Sequence, residues 1–274
     1  MSETARSWLE ELTSLYTPSA TQFDAAKSHR TAIEVRLTTH LGLHEMFEIG
    51  SLRHGTGVWQ YSDADYLASL RGNRPDSIWT MLNKVKSTLQ ARFPSTEVVV
   101  RRPAVVCRFS DGNVEVVPAY PVLSGYKIAS PAGGWITTHP KDHNQYVNNV
   151  NRRHGGAAKK LARQVKIWKY KRNVPISSCY LEMRSAIHMD GESSYSALWD
   201  LHANLNKILN VELAAMNDPT GLGSRFDACS SEANRVDSKS KLRTAVNRAL
   251  RAKNYSSAGN EVAAIEQLGL LFNR

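Results

Sequence analysis

Two aspartates one residue apart, Asp63 and Asp65, stand at the entrance to a short apolar run, Tyr66 to Leu70. Residues i and i+2 of a strand project from the same face, so a strand here aims both carboxylates the same way. Like charges that close repel unless a cation sits between them. Upstream, Met46 to Ile49 reads as a second strand that stops at Gly50-Ser51. Free backbone N–H groups at such a stop, with the Ser51 hydroxyl, suit phosphate oxygens. Gly55-Thr56 lets the backbone approach a ligand closely. Gly50, Ser51 and Thr56 are therefore candidate phosphate-binding residues, and Asp63 and Asp65 candidate ligands of Mg²⁺, which takes oxygen ligands and bridges carboxylates to substrate phosphates. Two such ions activate an attacking hydroxyl and stabilise leaving pyrophosphate.

Around this segment the periodicity changes twice. Residues 5–16 carry a helical stripe of Ala5, Trp8, Leu12 and Leu15, and about 21–41 another of Phe23, Ala26, Ile33, Leu37 and Leu41. Pro75-Asp76 opens a helix with Ile78, Trp79, Leu82, Val85 and Leu89 on one side. Three strand-like runs follow, Glu97 to Arg101, Ala104 to Phe109 and Asn113 to Val117, the last two joined by the hairpin signal Asp111-Gly112. Prolines 118, 121, 131 and 140 predict an irregular connector to about residue 150, and from about 155 the pattern is helical. The expected fold class is α+β: residues 1–150 form a mixed-sheet core with N-terminal helices, and residues 151–274 a helical lobe, with the active site in the cleft between them.

Charge is divided along the same line. Of 35 Lys/Arg and 25 Asp/Glu, residues 1–142 hold 15 and 14, and residues 143–274 hold 20 and 11. The basic half should face something anionic, for which nucleoside triphosphates, nucleic acid and solvent all qualify. From His143 to Leu181 there is no acidic residue and there are nine Lys/Arg. Leu161, Val165 and Trp168 form a buried stripe there. Arg163 and Lys166, three apart, flank it and can point together into the cleft toward a triphosphate, while Lys169, Lys171 and Arg172 read as a solvated face. The later basic cluster (Arg235, Lys239, Lys241, Arg243, Arg248, Arg251, Lys253) has no aromatic residues interleaved for base stacking and also reads as solvated, with nucleic-acid binding as the alternative. Three scattered cysteines, no run apolar enough for a membrane span and a polar N-terminus point to a reducing, cytoplasmic setting without a membrane.

Gly50-Ser51, Gly55-Thr56 and Ser62-Asp63-Ala64-Asp65 together resemble the signature of polymerase-β-like nucleotidyltransferases. That family takes a third carboxylate from a neighbouring strand, and Val114-Glu115-Val116-Val117-Pro118-Ala119 is similar to that strand in oligoadenylate synthetases and in cGAS/DncV-like nucleotidyltransferases (CD-NTases). A Glu inside a valine run needs a reason, and metal ligation is one. The family usually has Asp there, so Glu115 departs from the pattern. Leu161 to Trp168 resembles the oligoadenylate-synthetase helix Leu-Ile-Arg-Leu-Val-Lys-His-Trp, which implies Lys166 on the triphosphate with Arg163 nearby. Ser178-Cys179-Tyr180-Leu181-Glu182 resembles Ser-Tyr-x-Leu-Glu, which implies Ser178 on phosphate and an aromatic ring stacked on a base. Cys179 holds the tyrosine position, leaving Tyr180 or another aromatic for that role. Trp135 to Pro140 with Asn151, Asn217-Asp218-Pro219 and Leu268 to Phe272 resemble further CD-NTase segments.

The resemblance implies an enzyme that binds NTPs with two Mg²⁺ ions, Mn²⁺ being able to substitute, held by Asp63, Asp65 and Glu115, with Glu115 as base. It implies a cyclic di- or trinucleotide product that signals to a downstream effector in antiphage defence of the CBASS type. A linear 2′–5′ oligoadenylate-type synthase activated by RNA, transfer to RNA or protein, and an inactive nucleotide-binding homologue remain open.

Overall fold

The computed structural model describes residues 3–19 and 24–274. Two helices come first, α1 (Ala5–Leu15) and α2 (Asp24–Leu41). Then follow β1 (Leu43–Ile49), α3 (Gly50–Arg53), β2 (Ala64–Leu70), α4 (Ile78–Arg92), β3 (Glu97–Arg101), β4 (Ala104–Phe109), β5 (Gly112–Pro121), β6 (Tyr126–Ala129) and β7 (Trp135–Thr138). The remainder is helical: α5 (Pro140–Arg153), α6 (Ala157–Lys171), α7 (Ser178–Asp190), α8 (Ala197–Asn210), α9 (Glu232–Ser257) and α10 (Glu261–Phe272). The class is α+β, as expected.

One mixed sheet runs in the order β1-β2-β5-β4-β3, and β6 and β7 extend it along the second half of β5. Among the described residues only β2 and β5 pair in parallel. Alternation sorts the strands into two faces. On one, Tyr66 and Ala68 of β2, Val114 and Val116 of β5, and Val105 and Cys107 of β4 pack under Ile33 and Leu37 of α2 and Ile78, Leu82, Val85 and Leu89 of α4. Residues between them, Asp65 and Glu115 included, point to the opposite face.

A second hydrophobic interior joins Leu161, Val165 and Trp168 of α6 to Leu181, Leu201, Leu205, Leu242 and Leu268 of the later helices. Trp8, Leu9 and Leu12 of α1 belong to this interior, Trp8 facing Phe272 with ring centroids 6.2 Å apart. The first and last helices therefore close the helical lobe together. The residue-150 division read from the sequence falls inside α5.

Three local expectations need correction. Leu15 and Trp79 are 56% and 47% exposed. Leu9 completes the inward face of α1 in place of Leu15, and Trp79 lies against the Arg102 guanidinium instead of the core. The connector expected over 118–150 contains the end of β5, the β6–β7 hairpin and α5. Pro118 is tolerated inside a central strand because β5 changes partner there: its last register partner on β4 is at Val116 and its first on β6 at Ala119. Pro140 opens α5 as its first residue, where a missing N–H costs nothing. In α2, Ile33 and Leu37 are buried and Leu41 is partly so, whereas Phe23 and the side chain of Ala26 lie outside the described residues. No helix among the described residues is long and apolar enough to cross a membrane.

The turn from β1 into α3 needs glycine. Gly50 has φ +68°, and a Cβ there would sit 2.2 Å from Asp65 Oδ2. Gly50→Ala should cost about 1–3 kcal/mol through left-handed strain and the clash. Urea unfolding measures it, and an unchanged midpoint would mean that the turn relaxes freely.

Candidate active site

The parallel register of β2 and β5 sets Asp65 directly beside Glu115, side chains on one face. Asp63 precedes β2 by one residue and accepts from Asn113 Nδ2 at 3.2 Å. The Arg101 guanidinium, from the end of β3, bonds Asp63 Oδ2 at 2.9 Å and also contacts Glu115. Burial, reinforced by the Asp63 charge, raises the Asp65 carboxyl to about 7. Glu115 Oε1 is buried and receives no well-directed hydrogen bond. Crowded acidic oxygens, one held near neutrality and one lacking a proper donor, fit hard divalent cations. These oxygens are not drawn together as tightly as the His188, Glu192 and Asp200 group, whose ligand atoms all fall within 4.8 Å of one another. Arg101 stands among them.

Gly50 and Ser51 begin the short helix α3 beside these carboxylates. Ser51 Oγ donates to Ser62 Oγ at 3.2 Å, and Ser62 Oγ accepts from Val58 N at 2.9 Å, so the two ends of the 51–62 loop are tied together.

Thr56 and Lys166 lie elsewhere than expected. Thr56 is fully buried and Lys166 1% exposed. Lys166 Nζ donates to Glu182 Oε2 at 2.8 Å and to Thr56 Oγ1 at 2.9 Å. Thr56 Oγ1 and His54 Nδ1 also bond the Glu182 carboxylate. Burial would raise the Glu182 carboxyl, but Lys166 and His54 outweigh it and hold it well below the usual range. This quartet fastens the 54–57 loop to α6 and α7 and leaves neither Thr56 nor Lys166 free for phosphate. Arg163 has a similar task, its Nε and Nη2 donating to Gly57 O at 2.8 Å and Gly55 O at 2.7 Å.

Lys169, read from the sequence as solvated, is half-buried instead. Its Nζ donates to Ser178 Oγ at 2.6 Å and lies 4.4 Å from the Tyr170 ring centroid. Burial, then the charges of Lys166 and Arg101, lower it to about 8. Ser178 thus has a lysine partner, one turn along α6 from Lys166. The signal was the spacing itself, since Lys169 follows Lys166 by three on one helix.

Tyr180 is not open to a ligand. It is fully buried in the helical lobe, and its hydroxyl donates to Ala214 O at 2.9 Å. Cys179 is exposed in its stead. Nearer Ser178, Tyr170 stacks on Tyr61 at 4.7 Å with planes 7° apart. Its hydroxyl lies 3.1 Å from Ser178 Oγ, and burial chiefly, with the Asp65 and Asp63 charges, raises it. Other motif residues turn out to be structural. Asn151 Oδ1 accepts from Lys159 N at 3.0 Å, capping α6, and Asp218 accepts from His143 Nε2 at 2.8 Å while bonding its own loop. The basic residues of α9 are largely engaged within the protein: Arg235 with Glu232, Lys239 with Glu212, Lys241 with Asp237, and Lys253 over Trp199.

Among curated proteins none matches. Among solved structures, CdnC of E. coli MS115-1 with ATP superposes with a TM-score of 0.75 at 18% identity, covering 94% of both chains. CdnG of Bradyrhizobium diazoefficiens, a CD-NTase in complex with GTP, gives 0.71 at 12% identity over 100% of this chain and 99% of that one. The Vibrio cholerae cyclic AMP-GMP synthase DncV, with the linear intermediate pppA(3′,5′)pG, gives 0.64 at 15% identity over 98% and 85%. These likenesses carry the fold. The family description Second Messenger Oligonucleotide or Dinucleotide Synthetase domain matches residues 3–151, more than half of the chain. On that match the protein belongs to the second-messenger oligonucleotide or dinucleotide synthetases, the cGAS/DncV-like nucleotidyltransferases, and is a nucleotidyltransferase.

Proposed function

We propose that the protein condenses NTPs into a cyclic di- or trinucleotide that acts as a second messenger in antiphage defence. The observation that carries the reading is the carboxylate group formed by Asp63, Asp65 and Glu115 where β2 and β5 run in parallel. Asp63, Asp65 and Glu115 would hold two Mg²⁺ ions, or Mn²⁺ in their place, which supply activation of the attacking hydroxyl and charge neutralisation on the phosphates. The residues of the chain do the rest by placement. Lys169 and Ser178 hold the β- and γ-phosphates, with the Gly50-Ser51 turn on the other side. A ribose hydroxyl oxygen of the second nucleotide bonds the α-phosphorus, the bond from that phosphorus to the bridging oxygen breaks, and pyrophosphate leaves with the electron pair. Glu115 takes the hydroxyl proton. The relatives' ATP, GTP and linear intermediate support NTPs as substrates. The messenger would reach a separate effector protein.

Purified protein given labelled NTPs and Mg²⁺ or Mn²⁺ should form a phosphatase-resistant product that Asp63→Ala/Asp65→Ala lacks. A phosphatase-sensitive ladder would replace the cyclic reading with linear synthesis.

The two lysines separate. Lys169→Ala should raise KM for NTP about tenfold or more with little loss of stability, since one charge-assisted phosphate contact goes. Lys166→Met leaves Glu182 charged and buried and should cost about 3–5 kcal/mol in unfolding free energy. Steady-state kinetics beside denaturant unfolding will tell them apart, and the opposite pattern would return Lys166 to the phosphate.

Asp65 supplies a pH test. Its folded value, about 7, lies above that of an unfolded aspartate, so stability present at acid pH is lost as pH rises through 7. A bound divalent cation removes that loss. Mg²⁺ should therefore raise Tm more at pH 8 than at pH 6, and an equal rise at both would reject the assignment of Asp65 as ligand.

A further inference from the structure

Arg101 ends β3 two residues after Val99. Val99 pairs with Val106, and Val106 with Glu115, so the Arg101 side chain leaves the sheet on the same face as the carboxylates. It reaches back along that face to Asp63 Oδ2 and to Glu115. Exposure is unequal: the Arg101 side chain is 61% exposed, those of Asp63 and Glu115 only 19% and 14%. A solvent-accessible cation thus holds recessed acids, and among the described residues no other basic side chain pairs with Asp63, Asp65 or Glu115. The Arg101 charge is also felt at Lys169 of α6.

We propose that Arg101 is a positioning residue that exchanges partners on substrate loading: in the free enzyme it stands in for a metal ion between Asp63 and Glu115, and on loading it passes to the NTP triphosphate. The inference rests on those carboxylates being the metal ligands. Guanidinium and divalent cation compete for the same oxygens and repel each other, so metal entering alone has to push Arg101 toward water. A triphosphate offers it a better partner, because the planar fork pairs with phosphate oxygens as it does with carboxylates. Each ligand then favours the other, and the coupling is carried by one side chain. The arrangement disfavours premature occupation of the acids and keeps their charge compensated in the meantime.

The test uses the full chain, wild type and Arg101→Gln, each shown by circular dichroism to be folded at the assay temperature. Free Mn²⁺ is followed by electron paramagnetic resonance as protein is added without nucleotide. Fluorescent ATP is followed by anisotropy without metal. Arg101→Gln should bind Mn²⁺ about tenfold more tightly, the order expected for removing a unit charge a few ångströms from a divalent cation in partly solvated protein. The same variant should bind metal-free ATP more weakly. A merely structural role would weaken both. Mn²⁺ binding no tighter than wild type, or ATP binding unchanged, overturns the proposal. Arg101→Lys, which keeps charge and loses the fork, should restore competition with Mn²⁺ but not ATP affinity. In Asp63→Asn/Asp65→Asn, wild-type Mn²⁺ binding would instead overturn the metal-ligand reading itself.

Discussion

The parallel pairing of β2 with β5 is the constraint on which the site depends. It sets Asp65 against Glu115 at neighbouring strand positions, where separation is only about 5 Å and both side chains take the same face. A parallel pair cannot be joined by a tight hairpin. The chain between them has to travel out and back, which it does through α4, β3 and β4. That excursion covers the opposite face with Ile78, Leu82, Val85 and Leu89 and delivers Arg101 to the acids. The same detour that makes the repulsion possible thus supplies its counter-charge.

The second lobe is attached by charge buried at the junction. Glu182 and Lys166 are almost completely excluded from water, a situation that costs free energy unless every polar atom has a partner. Here Glu182 meets Lys166, His54 and Thr56, so the carboxylate bridges α7, α6 and the loop after α3. Such a bond set is directional where hydrophobic packing is not. It fixes the loop after α3, and with it the Gly50-Ser51 end of α3, relative to the helix carrying Lys169. The ammonium that looks most like a phosphate ligand in the sequence is tied into this buried junction, and the one a turn later bonds Ser178 instead.

Patterns governed by a single element were legible in the sequence. The Leu161, Val165 and Trp168 stripe is buried, the three runs between Glu97 and Val117 are strands, and the 62–65 segment opens a strand beside Glu115. What failed depended on partners distant in the chain. Pro118 looks like a strand breaker until β4 is seen to end where β6 begins. Tyr180 looks available until the Ala214 carbonyl is seen to receive its hydroxyl. Arg163 and Lys166 were placed on the correct helix, but a helix face cannot say which of its cations meets a buried glutamate from another helix. Arg101 went unnoticed because nothing near it in sequence marks an active site; only the sheet order brings it to Asp63.

The glutamate at position 115 is intelligible in these terms. Asp63 lies outside the strand, while Asp65 and Glu115 rise from adjacent backbones in register. A short side chain at 115 would end level with Asp65. The added methylene carries the carboxylate about one bond length further, toward the Arg101 end of the face where Asp63 also meets the guanidinium. One cation then touches both Asp63 and Glu115. Register is costly to shift, since a one-residue slip would turn Asp65 into the interior and Tyr66 out of it. Length at position 115 is therefore the adjustable dimension of the site, and the sheet that surrounds it is the fixed one.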